Sequence, residues 1–137
     1  MKSSLSYITL GVTDFALIQR FYKELGFSLY KQSTDADHPF AFFKVGSVML
    51  ALYPKNLLAK QSGCIINEDA VNQSLSLSLN VESRANVDKL LALAKTLSAE
   101  ITREPFEPAW GGYCGYFKDP EKNLWEIVWH EDFEFQK

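Results

Sequence analysis

The first half of the chain combines one period-two stretch, one helical stretch and three further apolar runs. Residues 6–12 alternate apolar side chains with smaller or polar ones, which predicts a β-strand with one apolar face. Apolar residues then recur at helical spacing over 15–25, after Asp14 as a capping residue and before Gly26 as a stop. The remaining apolar runs predict strands at Phe27–Gln32, Phe40–Val45 and Val48–Tyr53.

The same order starts again after a predicted connector at residues 54–73, where the apolar spacing is irregular and Leu57-Leu58 is compatible with a short helical turn. Residues 74–79 alternate strictly and predict a strand, and Val87 to Leu97 keep the helical period. A strand around Glu100–Arg103 and a loop with Pro105 and Pro108 follow. The half ends in a predicted hairpin with strands Tyr113–Lys118 and Leu124–Trp129 around a turn at 119–123.

The two halves are an internal repeat. Adding 69 to a residue number carries Ile8 onto Leu77 and Ile18 onto Val87, and each half reads β-α-β-β-β. Module one spans about 5–53 and module two about 74–130 of a single domain. Because one helix cannot cover four strands, the modules must join. We therefore predict an α+β fold in which two tandem βαβββ modules form an open, curved mixed sheet around a cavity.

One carboxylate stands in the middle of the apolar last strand. Glu126 has the parity of Leu124 and Val128, and strand alternation places Tyr7, Thr9 and Ser76 on the corresponding face of their own strands. Two interpretations remain open, because buried acids are usually paired for structural reasons. Glu126 is either such a structural carboxylate or a group that faces a ligand cavity.

Composition excludes several classes of partner. The chain has 137 residues and a net charge of −3, and its 14 basic residues form no cluster of the kind that follows phosphates, so no nucleic acid is expected. No apolar run is long enough to span a membrane, and the start of the chain reads as a strand. Cys64 and Cys114 have no metal-site spacing and are typical of reduced thiols in a cytoplasmic protein, although a disulfide between them stays open.

Two motifs resemble the vicinal oxygen chelate superfamily of glyoxalase I, extradiol dioxygenases, fosfomycin-resistance enzymes and bleomycin-resistance proteins. The first runs from Ile-Thr-Leu-Gly-Val-Thr-Asp at 8–14 into Phe-Tyr-Lys-Glu-Leu-Gly-Phe at 21–27. The second runs from Gly-Tyr-Phe-Lys-Asp-Pro at 115–120 into Leu-Trp-Glu-Ile at 124–127. Their order within repeated modules implies the glyoxalase-like fold, and the Trp-Gly-Gly-Tyr segment at 110–113 is similar to an uncharacterised glyoxalase-like branch. The fold alone does not fix the chemistry.

The resemblance also locates four positions at which metal-using relatives place His, Glu or Gln. Here they fall on Tyr7, Ala51, Ser76 and Glu126, of which only Glu126 is a competent ligand. No metal and no cofactor are therefore expected. His130 and His38 are expected to face solvent and do not supply the missing ligands.

Three functions follow as hypotheses. The first is a metal-free, homodimeric protein of the bleomycin-resistance type that binds a small organic molecule. The second is a lyase, isomerase or dioxygenase in which Glu126 is the catalytic base or a divalent metal acts. The third is a dimeric interaction domain without a ligand. The predicted ligand-binding residues are Tyr7, Thr9, Tyr53, Ser76, Trp110, Tyr116 and Glu126.

Overall fold

The structure is a computed structural model that describes residues 3–65 and 74–132. The chain divides into two compact units, Met1–Ala70 and Val71–Lys137, and the order β-α-β-β-β occurs in both, which confirms the predicted fold class. No helix within the described ranges is long and apolar enough to cross a membrane. The elements are β1 (Tyr7–Val12), α1 (Phe15–Leu25), β2 (Ser28–Ser33), β3 (Phe40–Val45), β4 (Val48–Pro54), α2 (Lys55–Ser62), β5 (Ser76–Asn80), α3 (Arg84–Thr96), β6 (Glu100–Phe106), β7 (Tyr113–Lys118) and β8 (Leu124–Trp129).

The first unit is a four-stranded mixed sheet in the order β1-β4-β3-β2, with β1 and β4 parallel and the other pairs antiparallel. Helix α1 begins where the Asp14 carboxylate accepts a hydrogen bond from the amide of Leu17, and it ends at Gly26 in the left-handed conformation (φ 112°). Its buried stripe packs on one face of the sheet and forms the core with strand residues of one parity. The fully buried members of this core include Ile18, Tyr22, Phe43 and Leu52.

The second unit repeats this topology in the order β5-β8-β7-β6, with β5 and β8 parallel. Ser83 caps α3 by accepting a hydrogen bond from the amide of Asn86. The helix lies close to β7 at Gly115, where an added Cβ would stand 2.4 Å from Leu91 Cδ1. A side chain at this position would therefore force the buried Leu91 to shift.

Residues 54–73, the predicted connector, contain more helix than the short turn that the sequence suggested. Residues 55–62 of this connector form the helix α2, although the sequence indicated only a short turn, and residues 66–73 lie outside the described part of the chain. None of the α2 residues is fully buried, which explains why the sequence has no apolar stripe that predicts this helix.

The structure corrects the prediction for Pro105, which belongs to β6 and not to a loop. Proline is tolerated there because β6 is an edge strand of its sheet.

Candidate functional site

The first unit has a cavity of about 490 Å³ on the sheet face opposite α1. Its floor is formed by residues of β1, β3 and β4, and α2 provides one wall. Three of the predicted ligand-binding residues, Tyr7, Thr9 and Tyr53, meet here. The remaining lining residues are Phe40, Phe42, Ala51, Leu58, Gln61 and Ser62.

Helix α2 reaches the cavity because β1 has a glycine at the point of contact. A Cβ built on Gly11 would stand 3.1 Å from Leu58 Cδ2 and 3.4 Å from the Cα of Lys55. A residue with a Cβ would therefore require at least the side chain of Leu58 to move. The helix begins after Pro54 and ends at Gly63, whose φ of 74° is readily adopted by glycine. No helical period marks residues 55–62, so the contributions of Leu58, Gln61 and Ser62 to the cavity were not predicted.

The cavity lining is aromatic and carries no formally charged side chain among its nine residues. Phe40 and Phe42 stack with ring centroids 4.8 Å apart, and Tyr7 meets Phe42 edge to face at 5.5 Å. Tyr7 is nevertheless 49% exposed, so it can make an additional contact with a bound molecule. Five of the nine lining residues also carry a hydroxyl or amide group, namely Tyr7, Thr9, Tyr53, Gln61 and Ser62. This composition suits an apolar, flat molecule with one or two polar groups.

In the second unit, Glu126 is the centre of a hydrogen-bonded row across three strands. Its Cα partners are Ser78 on β5 and Tyr116 on β7, so the three side chains project from the same face. The hydroxyl of Ser78 donates to Oε1 of Glu126 at 2.9 Å, and the hydroxyl of Tyr116 donates to Oε2 at 2.5 Å. The acid that the sequence singled out is thus held by two neutral donors.

The hydrogen bond from Tyr116 to Glu126, together with burial, raises the pKa of the Tyr116 hydroxyl to about 12. Tyr116 is therefore neutral at physiological pH and acts as a donor. A carboxylate has about four lone-pair positions, and the two hydroxyls use one on each oxygen. Glu126 consequently keeps the capacity to accept further hydrogen bonds from a bound molecule.

Ser76, the serine predicted for the site, is not the one that contacts Glu126. Its Cα partner on β8 is Leu124, two residues before Glu126, and Ser78 occupies the row of the carboxylate. Ser76 and Ser78 have the same parity in β5, and alternation alone cannot decide which of them is opposite a given residue of a parallel partner strand. Ser76 remains exposed on the same face of β5.

Trp110 lies in the loop before β7, and its ring stacks obliquely on His130 at a centroid distance of 5.7 Å. The indole is 55% exposed. The side chain of His130 is only 19% exposed, so the expectation that it faces solvent is wrong. Trp110 and the two glycines after it cover the imidazole, and a Cβ at Gly112 would stand 2.5 Å from the carbonyl oxygen of Trp129. His38 is exposed, as expected.

The donor set of the four family positions does not fit a divalent metal. Ala51 is a buried methyl group, and its Cα partner on β1 is Thr9. Glu126 has two hydroxyls as its neighbours where a metal would need His or carboxylate ligands. Across residues 3–65 and 74–132, no three His, Cys, Asp or Glu side chains form a group suited to a metal ion. Both cysteines, Cys64 and Cys114, are free thiols.

Comparisons with known proteins bear on fold and family. The structure is similar to a glyoxalase-related enzyme from Fulvimarina pelagi (24% identity, 98% of this chain and 94% of that chain, TM-score 0.89). It is also similar to a lactoylglutathione lyase from Agrobacterium tumefaciens (21% identity, 99% and 100%, TM-score 0.72). A third similar structure is a fosfomycin resistance protein from Listeria monocytogenes (18%, 96% and 97%, TM-score 0.72).

At these identities the structural likeness establishes the fold alone. No curated protein sequence matches the chain at a significant level. The sequence profile of the glyoxalase, bleomycin resistance protein and dioxygenase superfamily, however, matches residues 4–127. That range includes most of both units, the cavity lining and the row centred on Glu126. The chain therefore belongs to the Glyoxalase/Bleomycin resistance protein/Dioxygenase superfamily.

Proposed function

We propose that this chain is a metal-free, cytoplasmic and homodimeric protein that binds a small organic molecule. The observation that carries the proposal is the cavity of about 490 Å³ lined by Tyr7, Thr9 and Tyr53. Its volume lies within the range of ligand pockets, about 300 to 1,000 Å³. Lactoylglutathione and fosfomycin, which the names of two structural neighbours mention, are small organic molecules, and this supports the same class of partner.

The lining narrows the chemistry of the ligand. Burying an unpaired charge in an apolar pocket is costly, and the cavity offers no formally charged side chain as a counterion. The stacked and edge-on rings of the lining favour a flat aromatic guest. The hydroxyl of Thr9 and the amide of Gln61 supply hydrogen bonds at its edge. We therefore expect an uncharged aromatic ligand, for which indole is a simple probe.

Substitution of Thr9 by Trp tests the cavity. The exposed threonine stands on its floor, so an indole side chain there fills the volume without removing a core residue. We expect the affinity for free indole, measured by ligand-observed NMR, to fall at least about ten-fold, equivalent to 1.4 kcal/mol. Lys31→Trp is the matched control, because Lys31 is exposed on β2 outside the cavity. Equal binding by both variants, or no binding of any uncharged aromatic fragment by the native protein, would refute the proposal.

The metal-free part of the proposal rests on the donor set. Tyr7, Ala51 and Ser76 lack the imidazole or carboxylate groups that such a centre requires, and Glu126 is engaged by two hydroxyls. Elemental analysis of the purified protein is the direct measurement. Stoichiometric zinc, nickel, manganese or iron would contradict this part.

Light scattering tests the proposed homodimer, and a dimer with no detectable ligand would favour an interaction domain instead.

A second candidate function is proton abstraction next to a carbonyl group, with Glu126 as the general base. Ser78 and Tyr116 hold the two carboxylate oxygens of Glu126 in position. This favours a catalytic role, because a general base must be oriented towards the proton that it removes. Acetophenone, whose methyl protons are adjacent to a carbonyl, is a suitable probe. We expect the native protein to accelerate deuterium exchange at that methyl group, followed by NMR, and Glu126→Gln to abolish the effect. Identical exchange rates in both proteins would exclude this activity for the probe.

A further inference from the structure

Arg103 extends the polar row of the second unit by one strand. Its Cα partner on β7 is Tyr116, whose partner on β8 is Glu126. Residues paired directly across neighbouring strands project from the same face of a sheet. A guanidinium, a phenol and a carboxylate therefore follow one another across β6, β7 and β8. Alternation did not reveal Arg103, because β6 has register shifts on both sides of this residue.

The guanidinium of Arg103 is held in place by an aromatic ring. Its Cζ lies 3.5 Å from the ring centroid of Phe106, which is a close cation–π stack. Stacking engages the flat face of a guanidinium and leaves its N–H edge available for hydrogen bonds. The positive charge of Arg103 also acts on the Glu126 face of the sheet. It lowers the pKa of Tyr116 and of Cys114, although hydrogen bonding or burial raises both pKa values overall.

Arg103 differs from the other stacked arginine of this unit. Arg84 lies over the rings of Tyr113 and Trp129 and forms an ion pair with Glu107 at 2.8 Å. Within the described ranges, no carboxylate lies within ion-pair distance of Arg103. Arg103 is thus an oriented guanidinium with no ion pair to a described residue, and it shares a row with a hydrogen-bonded carboxylate. Two such groups can bind opposite ends of a small polar molecule.

We propose that Arg103 binds the carboxylate of a small organic acid whose hydroxyl group donates a hydrogen bond to Glu126. The Cα atoms of these residues are separated by two strand spacings, about 10 Å, so a molecule that contacts both side chains must extend across β7 at Tyr116. The proposal concerns the second unit alone and does not depend on the cavity of the first. The probe is 4-hydroxybenzoate, which has a carboxylate and a hydroxyl at opposite ends of one ring.

Isothermal titration of the full chain with 4-hydroxybenzoate and with its uncharged amide, 4-hydroxybenzamide, tests this assignment. We expect the native protein to prefer the acid, and Arg103→Gln to weaken binding of the acid about ten-fold while leaving the amide unchanged. Arg103→Lys retains the positive charge but not the planar guanidinium, which can donate two parallel hydrogen bonds to a carboxylate. We expect this variant to lose part of the affinity for the acid. Arg20→Gln, an exposed arginine of α1, is the matched control for the change in net charge.

Several outcomes would overturn the assignment. They are equal affinity of the native protein for acid and amide, no binding of the acid, and an equal effect of Arg103→Gln and Arg20→Gln. In those cases Arg103 is an ordinary surface residue that covers Phe106. Binding of indole in the first unit reports separately on the proposed function. Retained indole binding with no preference for the acid would reject the Arg103 site alone.

Discussion

At the scale of single residues, the feature with the greatest consequence is the pair of hydroxyls on Glu126. A carboxylate in a strand next to buried Trp125 and Ile127 needs donors, and Ser78 and Tyr116 supply one for each oxygen. The sequence identified Glu126 and Tyr116, because an acid inside an apolar strand is conspicuous. The donor role of Ser78 was not predicted, since the register of a parallel strand pair depends on packing that a single sequence does not display.

Removal of the Tyr116 hydroxyl should destabilise the protein. Tyr116→Phe deletes one of the two donors to Glu126, and hydrogen bonds to charged groups are worth about 1.5 to 3 kcal/mol. Because the side chain is partly accessible, we expect a loss of about 1 to 2 kcal/mol in the free energy of unfolding, measured with urea. Tyr30→Phe, at a tyrosine that is 65% exposed, is the control and should change little. Equal stability of the two variants would show that the hydrogen bond contributes nothing.

The contribution of Tyr116 should also depend on pH. Its pKa is raised from the ordinary value of 10.0 to about 12 in the folded protein. The stabilisation is therefore fully present below pH 10 and is lost as the pH rises through about 12, because the unfolded tyrosine ionises first. The difference in unfolding free energy between the native protein and Tyr116→Phe should shrink between these values. A difference that stays constant up to the folded pKa would contradict this explanation.

At the scale of elements, helix and strand boundaries were predictable where cap or turn residues mark them. Helix α2 was not predictable, because it buries no apolar stripe. Asp14 and Gly26 fix both ends of α1, and the hairpin strands Tyr113–Lys118 and Leu124–Trp129 were predicted to the residue. The turn between these strands is closed by Asp119, whose carboxylate accepts hydrogen bonds from the amides of Glu121 and Asn123 at 2.8 and 2.9 Å. Helix α2 has no buried residue and left no such signal, although it forms a wall of the cavity.

The contact between α3 and β7 provides a prediction at this scale. Gly115→Ala places a methyl group 2.4 Å from Leu91 Cδ1 and 3.2 Å from the carbonyl oxygen of Arg103. Because Leu91 is buried and the carbonyl belongs to the backbone, neither can move freely, and we expect a cost of about 1 to 3 kcal/mol. Chemical denaturation measures it. Gly46→Ala is a comparison variant, because Gly46 has a φ of 61° and open space around it. Its loss of stability reports the cost of backbone strain without a steric clash. Native stability of Gly115→Ala would refute the close contact.

At the scale of the whole molecule, the repeat was the most informative signal in the sequence. Adding 69 carries the cap Asp14 onto the cap Ser83, and it carries the start of α1, Phe15, onto the start of α3, Arg84. The strand orders β1-β4-β3-β2 and β5-β8-β7-β6 correspond. Fold class followed from this periodicity and from the family motifs. The chemistry of the two sheet faces did not, because it depends on individual residues that differ between the copies.

The equivalent pairs Thr9–Ala51 and Ser78–Glu126 show that difference most clearly. The first unit has a methyl group where the second has a carboxylate. The size of the first cavity and the charge of the second sheet face therefore depend on different residues. An engineer who wishes to retune this scaffold can alter the size of the accepted guest by changes near Ala51. Polarity can be adjusted independently through changes around Glu126.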